Sequence, residues 1–250
     1  MKGDAFIDVA ERWIAGSCDG LVGTSQPVLD RLRSFEPRKP ALLLENGVEL
    51  EAFRGPVPAP AEYRAIPSPR AVYVGTLDDR FDFKVIARCA ENLPAWQLIL
   101  IGPENSDGVK SLRRLPNVHL LGPKSYLSLA PYLQHADVGL IPLSAHPANR
   151  GRSPMKFYEY AAAGIPIIAT HTPELARRKL ACLTLCQTAE DFIAAFNTFL
   201  GPPGSRESIR SAAAPHSWRS KAEQLIAFAE SISPDERATS DFIETTFPHD

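Results

Sequence analysis

The stretch VGLIPLSAHPANRGRSPMKFYEYAAAGIPIIAT, residues 138–170, decides the fold. It opens on a short apolar run, Val138–Leu143, and passes into a polar loop. It then changes period: Met155–Ala163 predicts a helix, with Ser153 as its cap, Pro154 at the first helical position and Gly164 as the C-terminal cap. A second apolar run, Ile165–Thr170, follows at once. Strands that are apolar on both faces belong to a sheet covered on both sides, and a strand–helix–strand of this length is a parallel βαβ unit.

Outward from this unit the same alternation continues. Strands are predicted at Ala41–Leu44, Ala71–Leu77, Trp96–Ile101, Val118–Leu121 and Cys182–Gln187, and helices at Phe83–Leu93, Ser106–Leu115, Leu127–Ala136, Glu174–Leu180 and Asp191–Leu200. A (β/α) barrel needs eight such units and the chain has about six, so the expected class is α/β with a doubly wound, mostly parallel, Rossmann-like sheet. The boundaries expected are 1–40, a partial unit with one strand and its helices; 41–203, the Rossmann-like domain; 204–232, a helical segment; and 233–250, a polar flexible tail. Gly55–Arg70, with five prolines, reads as a connector.

Composition narrows the function. A chain of 250 residues with 44% apolar and 22% charged residues is globular, with one or two domains. With 27 Lys and Arg against 29 Asp and Glu, the net charge of −2 supplies no broad basic field for nucleic acid. No apolar run reaches the length of a transmembrane span, and the Met1–Phe6 start has no signal-peptide core. The cysteines Cys18, Cys89, Cys182 and Cys186 lack zinc-site spacing and read as reduced packing residues. The expected location is the cytoplasm, with a peripheral position at the inner membrane face left open.

In open α/β sheets ligands bind beyond the carboxyl ends of the strands. After the strand at 71–77 stand Gly75, which lets a ligand approach the backbone, and Arg80, which reads either as a phosphate contact or as a solvated turn residue. Asp78, Asp79 and Asp82 read as a turn and a helix start rather than a metal motif. From Val138 to Tyr158 there is no acid, yet Arg150, Arg152 and Lys156 are present with His146 nearby. Lys156 falls in the first turn of its helix, where the dipole disfavours a cation; a bound pyrophosphate reverses that sign. Glu159, three residues on, reads equally as an ion-pair partner of Lys156 or as an acceptor for ribose hydroxyls. No phosphate loop, dinucleotide fingerprint or nucleophile elbow occurs.

At these residues the sequence resembles the C-terminal, nucleotide-sugar-binding half of two-domain GT-B glycosyltransferases, of the group 1, family 4-like type found in bacterial exopolysaccharide and cell-envelope synthesis. The resemblance runs through residues 41–200 and rests on four segments: Asn46-Gly47-Val48, Tyr73 to Asp82, Leu98 to Pro103 with Leu115 to Gly122, and Pro154 to Pro166. It implies that Glu159 holds the donor ribose, that Met155 and Lys156 flank the diphosphate with Arg80 near the second phosphate-binding cation, and that His119 and Tyr126 line the base; Gly75, Thr76 and Arg152 complete the expected donor-binding set. Lys156 and Arg80 would stabilise the leaving group, with no cofactor and no metal; the catalytic residue itself is not identified.

Two departures stand out. Thr76 replaces the family's common Arg, and Gly151 stands where retaining enzymes carry a second Glu, so the resemblance does not fix the anomeric outcome. It further implies a UDP- or GDP-sugar as donor and a saccharide or lipid-linked acceptor. Residues 1–40 match only the last strand and helix of an acceptor domain, and His216-Ser217-Trp218 with the helix after it resemble the family's C-terminal segment, which packs back towards that domain. The expectation is therefore a donor half that binds nucleotide but transfers sugar poorly alone. The alternative is a non-catalytic nucleotide-sugar-binding subunit or truncated product needing a separate acceptor-domain chain. An exposed apolar surface and self-association or a partner are expected with it. An epimerase of similar fold is disfavoured, since no acid/base pair is evident.

Overall fold

The computed structural model describes residues 2–178, 180–199 and 206–232; the tail at 233–250 lies outside them. The chain divides into two compact units, Met1–Glu45 with Lys221–Asp250, and Asn46–Ser220.

The smaller unit contains α1 (Lys2–Ser17), β1 (Leu21–Gly23), α2 (Gln26–Phe35) and β2 (Ala41–Leu43). Ser25 caps α2 by accepting the Val28 N–H, with Pro27 in the first turn. The Lys39 ammonium donates to the carbonyls of Ala15, Gly16 and Cys18 at 2.6, 2.7 and 2.6 Å, satisfying acceptors at the end of α1. β1 and β2 run parallel, with Leu21 opposite Ala41. Ala41–Leu44, expected as a strand of the larger sheet, pairs instead with β1. A three-residue apolar strand satisfies either sheet, and the partner is chosen by long-range packing rather than by its own sequence. The exposed apolar surface expected on residues 1–40 is present: Ile7, Val9, Trp13 and Ile14 of α1 are all at least half exposed.

In the larger unit the alternation read from the sequence becomes β3 (Arg70–Val74), α3 (Phe83–Asn92), β4 (Gln97–Ile101), α4 (Val109–Leu112), β5 (Val118–Leu120), α5 (Leu129–Gln134), β6 (Val138–Ile141), α6 (Met155–Ala163), β7 (Ile167–Thr170), α7 (Pro173–Ala176), β8 (Leu183–Cys186), α8 (Ala189–Thr198) and α9 (Arg206–Ala213). The last described helix, α10 (Trp218–Ile232), begins here. The six strands form one parallel sheet in the order β5-β4-β3-β6-β7-β8. The chain winds outward from β3 in one direction, then returns to wind from β6 in the other. The crevice between β3 and β6 is thus the topological switch point, where ligands of such sheets bind.

Strand alternation divides the apolar side chains between two cores. Val72, Ile99, Ile141 and Ile167 face the layer that contains α5 and α6, while Ala71, Tyr73, Leu98, Leu100 and Ile168 face α3 and α8. Trp96 and Phe196 meet edge-on at 4.9 Å in the second core. Ile99 is fully buried, so its truncation to Ala would cost about 2–5 kcal/mol.

Helix α6 is fixed across the switch point by Tyr160. Its phenol accepts the Val74 N–H at 2.9 Å, and its ring fills the space where a side chain at Gly139 would stand. Val48 and Ser217 form a parallel bridge, with the Val48 N–H donating to the His216 carbonyl at 2.9 Å. His216 also stacks, tilted, on Tyr158 of α6 at 4.9 Å.

Candidate functional site

The candidate site lies beyond the carboxyl ends of β3 and β6 and is built from the two loops that leave them and from the start of α6. Gly75, just after β3, has φ +149°, and a Cβ there would lie 2.5 Å from the Lys156 Nζ. At Gly102, just after β4, φ is +150° and a Cβ would lie 2.0 Å from the Gly75 carbonyl oxygen. Both positions need glycine for close approach.

The two loops are tied together. Ser144 Oγ donates to the Asp79 carbonyl at 2.6 Å, and the Asn149 amide donates to the carbonyls of Arg80 and Ser144 at 2.9 and 3.0 Å. Asp82 caps α3 through the N–H groups of Lys84 and Val85, as a helix-start residue should. Asp78 binds the Arg80 guanidinium. Arg80 therefore reaches the site already paired with a carboxylate, a pairing that neither sequence reading, phosphate contact or solvated turn residue, includes.

Lys156 is half-buried, and its ammonium sits 3.9 Å from the centre of the Tyr73 ring. No ion pair joins it to Glu159, which removes the simplest structural explanation for that spacing. Burial, with the positive charge of Arg152 beside it, pushes the Lys156 ammonium down to about 7. Arg152 is half-buried, and its guanidinium has no hydrogen-bond or ion-pair partner among the described residues. Glu159 is 7% exposed, and burial raises its carboxyl above the usual range. Tyr126 is 38% exposed and packs edge-on against Phe53. Its phenol is raised first by burial and then by the charge of Glu159.

Of the sequence-predicted residues, the structure gathers Gly75, Arg80, Arg152, Lys156 and Glu159 about the start of α6. Thr76 is half-buried and accepts the Tyr73 phenol on its carbonyl at 3.0 Å. Met155 opens α6 and is exposed. Tyr126 stands within electrostatic reach of Glu159. His119 is placed apart: its Nε2 lies 2.8 Å from the side chain of Gln97, at the start of β4, the end of the strand away from Lys156.

One local expectation is corrected. Ser153 does not cap α6. The helix starts after Pro154 with no side-chain cap, and the Ser153 hydroxyl accepts from the Arg178 guanidinium at 3.1 Å. The Ser153 carbonyl accepts from the Asn46 amide at 2.7 Å. Tyr73, Arg178 and Asn149 were not singled out from the sequence. Tyr73 stands two residues before Gly75, which was a usable signal; Arg178 and Asn149 act over loop closures that no local pattern reveals.

A family model for Glycosyl transferases group 1 matches residues 68–201, more than half of the chain. The chain belongs to that family. It is 30% identical over 198 residues to the putative teichuronic acid biosynthesis glycosyltransferase TuaH of Bacillus subtilis (strain 168), which covers 74% of this chain and 49% of that protein. Against solved structures, sucrose-phosphate synthase from Thermosynechococcus elongatus superposes with a TM-score of 0.70 at 22% identity, over 90% of this chain and 61% of that one. Anabaena Alr3699/HepE, in complex with UDP and glucose, gives 0.70 at 16% identity, over 89% and 66%. The fold is the one these proteins share, and the doubly wound GT-B half expected from the sequence is borne out. This group 1 chain spans about half the length of its curated relative.

Among the described residues no helix is long and apolar enough to cross a membrane, and no group of three or more His, Cys, Asp or Glu side chains is arranged to hold a metal ion.

Proposed function

We propose that this chain is the donor-binding half of a glycosyltransferase that moves a sugar from a nucleoside-diphosphate sugar, UDP- or GDP-linked, to a saccharide or lipid-linked acceptor in the cytoplasm. One observation carries the reading. A half-buried lysine without an acidic partner stands in the first turn of an uncapped helix, at the switch point of a doubly wound sheet. Such a position is unfavourable for the free protein and favourable once an anion occupies it. UDP and glucose in the HepE complex agree with that choice of ligand.

In this reading the diphosphate rests over Gly75 against the first-turn N–H groups of α6. Lys156 and Arg152 meet its charge, and Arg80 adds less because Asp78 already neutralises it. As the bond from the sugar to the diphosphate breaks, negative charge grows on the leaving oxygen. Preorganised cations in a partly dry site stabilise that charge more than water does. Glu159, one turn along, accepts the ribose hydroxyls, and the Tyr126 ring flanks the base. The protein's own cations, rather than a metal ion, do this work, and His119, held by Gln97 at the far end of β4, has no part in it.

The test is calorimetric titration of the full chain with UDP and GDP, followed by a sugar-transfer assay. Saturable binding of one nucleotide diphosphate is expected; absence of binding for both overturns the proposal. Binding without transfer, restored by adding an acceptor-domain chain, favours the subunit form of the reading. The exposed apolar side chains of α1 are what support it.

A further inference from the structure

Ser153 is the residue that the sequence offers as the cap of α6, yet its hydroxyl is engaged elsewhere. It accepts from Arg178 Nη2 at 3.1 Å and shares a hydrogen bond with the Tyr158 phenol. Arg178 also donates to the Tyr158 phenol at 2.6 Å and to Glu174 of α7 at 2.9 Å. The whole cluster is out of solvent: Glu174 and Tyr158 are each 1% exposed, Arg178 7% and Ser153 8%. A guanidinium fork can hold three oxygens in one plane, which an ammonium cannot.

A buried ion pair is by itself weak support for stability, because desolvation offsets most of the attraction. What distinguishes this pair is the residue that it detains. A serine immediately before a proline at a helix start normally accepts a first-turn N–H. Here it is turned into the interior, and α6 begins with no side-chain cap.

We infer that Arg178 is a positioning residue for the donor site: by holding the Ser153 hydroxyl against Tyr158 and Glu174, it keeps Ser153 from capping α6 and leaves the Met155 and Lys156 N–H groups open to an anionic ligand, the Phe157 N–H being taken by the Pro154 carbonyl. This rests on the donor-site reading above for the identity of the ligand, and on the geometry alone for the state of the helix start. Arg178 touches no substrate; it acts through Ser153.

Two measurements on the full chain test it, amide hydrogen exchange at Met155 and Lys156 and the affinity for UDP. R178K keeps a positive charge for Glu174 but cannot span all three partners. It is expected to slow exchange at those two amides, as Ser153 becomes a cap, and to weaken UDP binding about fivefold, the worth of one cap hydrogen bond. S153A in the R178K background should return both to near the parent values, and S153A alone should change UDP affinity by less than about twofold. Parent-like amides and affinity in R178K, or no reversal by S153A, would overturn the inference. If R178K does not fold, E174Q/R178Q, which removes both charges of the Arg178–Glu174 pair together, is read in the same two ways. Should no form bind UDP or GDP, the donor reading fails, and the amide exchange still decides whether Arg178 holds the helix start open.

Discussion

Helices α6 and α8 both begin on loops at the carboxyl ends of strands in the same sheet, and they begin in opposite ways. At α8 the Thr188 hydroxyl accepts the Asp191 N–H at 3.1 Å, and the Asp191 carboxylate accepts the N–H groups of Thr188 and Gln187 at 3.0 and 2.9 Å. Glu190 and Asp191 place negative charge in the first turn, where the dipole favours it. At α6 there is no cap and no acid in the first turn, and a lysine stands there instead. The first terminus has consumed its own binding capacity in folding. The second has kept its donors and its charge for something else, and its lack of local satisfaction is the mark of the site.

The largest effect that can break this contrast is at Lys156. Lys156→Ala should weaken UDP or GDP binding by about 1–3 kcal/mol, the worth of a charge-assisted hydrogen bond. Unchanged affinity by calorimetry would make α6 merely a poorly capped helix.

A pH series sharpens the same point. The Lys156 ammonium is held at about 7 in the free protein, well below its unfolded value. The unfolded chain therefore binds more protons between about pH 7 and the ordinary lysine range, so stability of the free protein should rise with pH across that window. A diphosphate reverses the preference, so binding at pH 8 should take up a proton. Affinity should fall as pH rises above about 7, by at most about tenfold per unit for one proton. Titrations in two buffers of different ionisation enthalpy read the uptake directly; equal apparent enthalpies would remove Lys156 from the ligand.

Glu159→Gln keeps the shape of a buried side chain and removes its charge. A loss of about 1 kcal/mol in nucleotide affinity, with the melting temperature little changed, is expected. Normal affinity with early melting would instead make Glu159 a structural residue. The smallest effect belongs to α8. Thr188→Ala should cost about 1 kcal/mol of stability and leave nucleotide binding alone, and a weakened nucleotide affinity there would erase the distinction between the two helix starts.

How much of this was legible in the chain depends on the range of the interaction. α6 occupies Met155–Ala163 as the periodicity predicts, because its start and its Gly164 stop are local signals; Gly164 has φ +76° and closes the helix. All six strands of the main sheet were readable from short apolar runs. The helices predicted at 106–115 and 174–180 shrink to Val109–Leu112 and Pro173–Ala176, where Gly, Pro and polar neighbours leave little to propagate beyond a turn. The partner of Ala41–Leu43 was not readable, since parallel pairing is made over long connections. At the site, Lys156 and Glu159 announced themselves by charge out of place. The fate of Ser153 did not, because the arginine that claims it lies 25 residues further along.

The close approach of Gly75 and Gly102 has a further consequence for anyone who would alter this protein's choice of ligand. Where a Cβ at one would come within 2.0 Å of the other's carbonyl oxygen, the floor of the site is bare main chain. A surface without side chains offers no handle for redesign, and at either position φ is one that any other residue adopts only with strain. Useful diversity belongs instead in the exposed side chains beside that floor, Tyr126 and Met155 among them, and not in Ser144 or Asn149, which tie the two loops together.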